Sequence, residues 1–210
     1  MKVTTVRVAL GALGLAACAA VIWRVGSSAM TSHVLNSSLR RGAILVDQGS
    51  ISEATSEYEA ALSAARDLGR DHPRYDEALA RVADAYEASG RYDDAYSLRL
   101  ESLQRAQAAY GSQSAEVATA LFELGSIRAF QGEGDSAVVL LRQALNIWQA
   151  LHGNEHPDLI PTLYQLGSTL HALGNDEEAG PYLEWGIGLQ RRSTGSDSRE
   201  VAPLEYRYAE

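Results

Sequence analysis

Glycine returns on a fixed beat along this chain, at Gly69, Gly111, Gly153 and Gly195, each 42 residues after the last. A second series, Gly49, Gly90, Gly132 and Gly174, keeps almost the same step, with intervals of 41, 42 and 42. Self-similarity at such a period means an array of one supersecondary unit, in which each copy buries its apolar face against its neighbours. Five residues after each glycine of the second series stands a small side chain, Ala54, Ala95, Ala137 or Ala179. That spacing predicts two helices joined at the glycine and pressed together at the alanine. Apolar residues at helical spacing on either side complete the reading of two amphipathic helices per repeat.

The 210 residues suffice for one such array plus a short appended segment, and five prolines are too few for a linker-rich or low-complexity chain. A formal charge of -9, with Lys2 the only lysine, argues against a phosphate-tracking surface, so no nucleic acid partner is expected. An acidic surface favours basic or neutral partners. The lone cysteine, Cys18, rules out an internal disulfide.

Residues 1–30 read as a signal or membrane anchor. Lys2 and Arg7 precede an uncharged run from Val8 to Trp23, and Arg24 with a small polar stretch follows. An uncleaved anchor through residues 8–23 is favoured by Trp23 at the interface and by Arg24, which can snorkel. Leu15-Ala16-Ala17-Cys18 resembles a bacterial lipoprotein box, which would make Cys18 the lipidated residue. The residues after it, Ala19 to Trp23, stay apolar where that pattern turns polar. Ordinary cleavage near Ala19 or Ala29, or Cys18 as a small apolar helix residue, are the other readings. All place the array beyond the cytoplasm, membrane-anchored or released and facing the periplasm or cell exterior, because the positive flank stays inside. The expected organisation is residues 1–30 as address, 31–38 as linker, 39–198 as four repeats, and 199–210 as a partial fifth helix that caps the array.

Within the repeats the second helices carry Tyr58, Ala61 and Leu62, then Leu141, Ala144 and Leu145, then Leu183, Gly186 and Ile187. Arg99, Ser102 and Leu103 form the weakest copy. The first helices carry Leu79, Val82, Ala83 and Tyr86, then Leu121, Leu124 and Gly125, then Leu163, Leu166, Gly167 and Leu170. These residues resemble the tetratricopeptide repeat. The period of 42 and the Gly-x-x-His-Pro link, at Gly69 to Pro73 and Gly153 to Pro157, look like the kinesin light chain variety. The resemblance implies an all-α fold, a right-handed superhelical solenoid of about four helix-turn-helix units plus the C-terminal cap. Ser50 with Glu53, and Asn175 with Glu178, have capping-box spacing, while Pro73 and Pro157 suit first-turn positions. Gly180-Pro181 predicts a kink or a late start in the last second helix.

Catalysis finds little support. His152-Gly153-Asn154-Glu155-His156 fits the pattern of inverted zinc peptidases, but that chemistry needs both histidines on one helical face. Here Gly153 ends one helix and Pro157 begins the next, so the segment reads as a turn and no metal is expected. His33, His72 and His171 lie apart and suit solvent-facing or capping roles. Gly132-Glu133-Gly134 is too short for a phosphate loop. No cofactor and no enzymatic activity are expected.

The resemblance implies a binding face on the first helix of each repeat. Carried onto this chain it comprises Arg81, Asp84 and Glu87, then Phe122, Glu123, Ser126 and Phe130, then Tyr164, Gln165, Ser168 and His171. Aromatics beside carboxylates suit a peptide or partner protein with an apolar anchor and basic residues. Packing of Phe122, Phe130 and Tyr164 against neighbouring repeats is the competing reading. Where kinesin light chain repeats carry a peptide-binding asparagine, this chain has Arg40, Arg81, Glu123 and Gln165, and the lysine and asparagine clamp of chaperone-binding repeats is absent. The expected function is a membrane-tethered interaction scaffold. The alternatives are a self-assembling envelope protein and, behind it, the zinc peptidase.

Overall fold

The computed structural model describes residues 27–194, which form eight α-helices and one short 3₁₀ helix, with no strand among the described residues. Helix α1 covers residues 27–47 of this range. It is followed by α2 (Ile51–Leu68), α3 (Tyr75–Ala88), α4 (Tyr92–Tyr110), α5 (Ala115–Phe130) and α6 (Gly134–His152). The 3₁₀ helix Pro157–Leu159 leads into α7 (Ile160–Ala172), and α8 (Asp176–Thr194) ends the series. The chain divides into two compact bodies between Ser89 and Gly90, with α1 to α3 in the first and α4 to α8 in the second. The anchor through residues 8–23, Cys18, Gly195 and the cap over 199–210 lie outside the described residues.

The described glycines of both series end helices. At Gly49, Gly132 and Gly174 the backbone turns left-handed, with φ of 77°, 80° and 78°. The next residue's amide then donates to a carbonyl five residues back: Ser50 to Leu45, Glu133 to Arg128 and Asn175 to Leu170, at 2.9 Å each. This is the Schellman closure, which glycine alone enters without a Cβ penalty. The all-α array of helix pairs expected from the period is the fold observed.

Within a pair, contact is closest where one side chain is missing. A Cβ on Gly125 would lie 2.8 Å from Leu141 Cγ, and one on Gly167 would lie 2.4 Å from Leu183 Cδ2. Gly42 plays the same part against the Tyr58 ring. Ala54, Ala95, Ala137 and Ala179 are all buried. In the second body two clusters of buried residues follow from this pairing, one on Leu141, Leu163, Leu166 and Leu183, the other on Val117, Leu121, Leu124 and Ile147.

Several local expectations give way. Residues 31–38, read as a linker, are helical and belong to α1, because Leu35 and Leu39 are buried one turn apart on the same face. Ser50 makes no side-chain cap, since its φ and ψ of -83° and 64° depart from the extended geometry an N-cap takes. Glu178 turns its carboxylate to Arg142 instead of completing a box with Asn175. A side-chain cap does form at the start of α5, where Ser114, extended at -122° and 160°, accepts from the Val117 amide at 3.3 Å. Helix α8 starts at Asp176 and continues through Pro181. The proline falls early in the helix, and the buried Ala179 and Leu183 on either side hold that segment against α7.

Candidate functional site

Helices α5 and α7 are first helices of consecutive repeats, and both belong to the second body. The three positions expected on α3, Arg81, Asp84 and Glu87, lie in the first body, where Arg81 and Asp84 are exposed and Glu87 is half-buried. The remaining eight fall on α5 and α7; seven separate into two groups, and His171 stands apart from both.

The first group is engaged inside the fold. Phe122 packs against both buried clusters of the second body, and Tyr164 packs against one of them, its ring 3.4 Å from where a Cβ on Gly186 of α8 would stand. Glu123 is paired at 3.2 Å with Arg99, which is only 5% exposed. Ser126 has its hydroxyl buried without a hydrogen bond. Phe122 and Tyr164 are thus half-buried against neighbouring helices, as the packing reading expects. His171 is exposed, with Nδ1 against the Asp176 carboxylate at the end of α7.

The second group meets at a groove. Phe130, Gln165 and Ser168 line a cleft of about 300 Å³ together with Ala129, Thr169 and Leu173. Its lips are apolar and solvent-facing, since Phe130 is 66% exposed and Leu173 39%. Phe130 is held by stacking on Tyr92, with centroids 5.8 Å apart and planes 7° from parallel. Beside it Arg128 lies over the Tyr96 ring at 3.8 Å and bonds Gln131 and Glu133, while Gln131 donates to Asp93 at 2.7 Å. These contacts fix the last turn of α5, so Phe130 is presented on a rigid support. Leu173, Ala129 and Thr169 went unrecognised in the sequence, because Leu173 directly precedes the turn glycine Gly174 and reads as helix end.

The turn between α6 and α7 brings together three groups able to hold a metal ion, His152, His156 and Asp158. Only the two histidines were visible as a motif, and the rejection of a shared helical face was correct: they meet across the turn.

The tetratricopeptide repeat family model matches residues 33–95, 76–146 and 116–192, three overlapping stretches that take in most of the chain. The chain belongs to the tetratricopeptide repeat family. Its array thus extends to residue 33, into α1. The fold is also similar to BtubC (BKLC) from P. vanneervenii, at 22% identity and a TM-score of 0.69. That match covers 77% of this chain and 65% of BtubC, so the chain spans just under two thirds of that protein's length. A variant of a Podosopora anserina protein described as kinesin light chain, with nearly identical TPR-like repeats, is similar at 22% identity, 81% of each chain and a TM-score of 0.70. MamA follows at 19% identity, 76% of this chain, 80% of MamA and a TM-score of 0.55. No curated protein matches by sequence. Tetratricopeptide arrays generally serve as scaffolds for protein–protein interaction, built on a repeated surface.

Proposed function

We propose that this tetratricopeptide repeat protein is a membrane-tethered interaction scaffold that seats an apolar side chain of a partner protein or peptide in the groove between α5 and α7. The observation that carries this is the pair of exposed apolar lips, Phe130 and Leu173, over a cleft floored by Ala129 and Thr169. Gln165 and Ser168 add carboxamide and hydroxyl groups that can bond a backbone alongside the anchor. An overall charge of -9 suits basic residues flanking that anchor. The tether rests on the uncharged run of residues 8–23, with Cys18 as the lipid attachment in the alternative form. Among the described residues no helix is long and apolar enough to cross a membrane.

In vivo cross-linking of the full-length protein tests the groove. Phe130→Ala removes an exposed ring and should leave the thermal unfolding midpoint nearly unchanged, while capture of the partner falls about tenfold or more, the loss of one aromatic anchor. Full capture by Phe130→Ala and by Ser168→Arg, which would block the cleft, moves the binding surface elsewhere.

Self-association is the second reading, supported by the exposed apolar side chains of Met30, Val34 and Ile44 on α1. Light scattering that gives a concentration-independent monomer removes it.

A further inference from the structure

The turn from Gly153 to Pro157 is built more tightly than a connection requires. Trp185 donates its indole N–H to the Asn154 carbonyl at 3.0 Å, and Gln149 donates to the Asn154 side chain at 3.0 Å. The His156 ring stacks on His152, with centroids 4.4 Å apart, and Trp148 stacks on the other side of His152 at 5.5 Å. Both imidazoles are thereby held with one nitrogen toward the same carboxylate oxygen. Asp158 Oδ2 lies 3.5 Å from His152 Nε2 and 3.4 Å from His156 Nδ1, and all three candidate ligand atoms fall within 4.8 Å of one another.

Capping accounts for one of the three. His156 Nδ1 accepts the Asp158 amide at 3.3 Å, and His72, at the same place in the earlier Gly-x-x-His-Pro link, accepts the Arg74 amide at 3.2 Å. At that earlier turn the positions of His152 and Asp158 are taken by Leu68 and Arg74. The turn therefore works without the other two; a histidine in the last turn of α6 and a carboxylate in the first turn of the 3₁₀ helix each suit a helix end, but that role does not require them to converge on His156.

The geometry points to a binding site for a first-row divalent metal ion of the zinc class, held by His152, His156 and Asp158. A tetrahedral ion with bonds of about 2.0–2.1 Å sets its ligand atoms roughly 3.3 Å apart, close to the two separations in place here. Two imidazoles and a carboxylate suit such ions. On binding, His156 Nδ1 exchanges the Asp158 amide for the ion, and its ring turns out of the stack on His152, because nearly parallel imidazoles cannot both aim an in-plane lone pair at one ion. Glu155 is not among the clustered groups, so the site joins the end of α6 to the start of α7 without the arrangement a peptidase needs. The surface position leaves a coordination place for water or a partner's side chain.

Titration of the full-length protein with ZnCl2, followed by calorimetry and thermal unfolding, tests the site. The expected result is one ion bound per chain, with the unfolding midpoint raised by roughly 5 °C when free zinc stands about a hundredfold above Kd. His152→Ala and Asp158→Asn, both at surface positions, should each weaken binding at least tenfold, and His72→Gln should not. Absence of stoichiometric binding overturns the proposal, as does binding that survives both His152→Ala and Asp158→Asn.

Discussion

Tyr58 shows how one residue can answer two demands. Its ring fills the space left by Gly42, where a Cβ would come within 2.4 Å of it, and the side chain is 3% exposed. Burial raises the phenol above its ordinary pKa; Arg81 pulls the other way, and Asp84 and Asp47 add to the rise. The folded state thus favours the neutral phenol. This stabilisation is complete below the unfolded pKa of about 10 and is lost as pH climbs through the higher folded value. Thermal unfolding between about pH 9 and pH 11.5 should therefore show a drop that Tyr58→Phe reduces. Equal drops in both proteins would mean the phenol titrates freely. The sequence showed Tyr58 as an apolar position in a second helix, and that much was legible. That Phe122 and Tyr164 belong to packing while Phe130 stands in solvent was not, because all three share the helix face expected to bind. Only the position of α6 and α8 separates them.

At the scale of the helix, the pairing rests on glycines placed where a second side chain cannot fit. Gly167→Ala would put a methyl 2.4 Å from Leu183 Cδ2 and 3.4 Å from the Ala179 carbonyl, so the buried Leu183 side chain must leave its place or α7 and α8 must move apart. The expected cost is about 1–3 kcal/mol by chemical denaturation, the range for overpacking a close contact. Gly188→Ala in α8 is the control, since its Cβ would meet nothing nearer than Arg192 at 3.8 Å. There the better helix former should gain about 0.5–1 kcal/mol. Equal effects at the two positions would show that helix propensity, not close approach, governs the pair. The helices and their turns were legible because a glycine period is a property of the chain itself. The caps were not: Ser50 has the right neighbours, yet the Schellman closure at Gly49 commits its amide to Leu45 and leaves it in the wrong conformation to cap. Of the two outcomes expected at Pro181 the late start is the one overturned, since sequence gives the missing amide but not the contacts of Ala179 and Leu183 that carry the helix past it.

At the scale of the whole molecule, an array distributes stability among local units and nearest-neighbour contacts, so the place of a defect should decide where the chain opens. Arg99 makes the test available. It occupies the register filled by Leu141 and Leu183 in the later repeats, and its guanidinium, almost wholly buried, is balanced by Glu123 at 3.2 Å. Glu123→Gln removes a carboxylate from the surroundings of that buried charge, at a cost of about 1–3 kcal/mol once the partial exposure of Glu123 is allowed for. Converting the pair to Arg99→Leu with Glu123→Gln should restore most of the loss, since a well-packed apolar side chain can match a buried ion pair. Hydrogen exchange read segment by segment should place the Glu123→Gln defect in α4 and α5, with protection in α1 and α2 unchanged. Protection lost evenly from α1 to α8 would instead mean that the array unfolds as one cooperative block, and the additive account of its stability would fail.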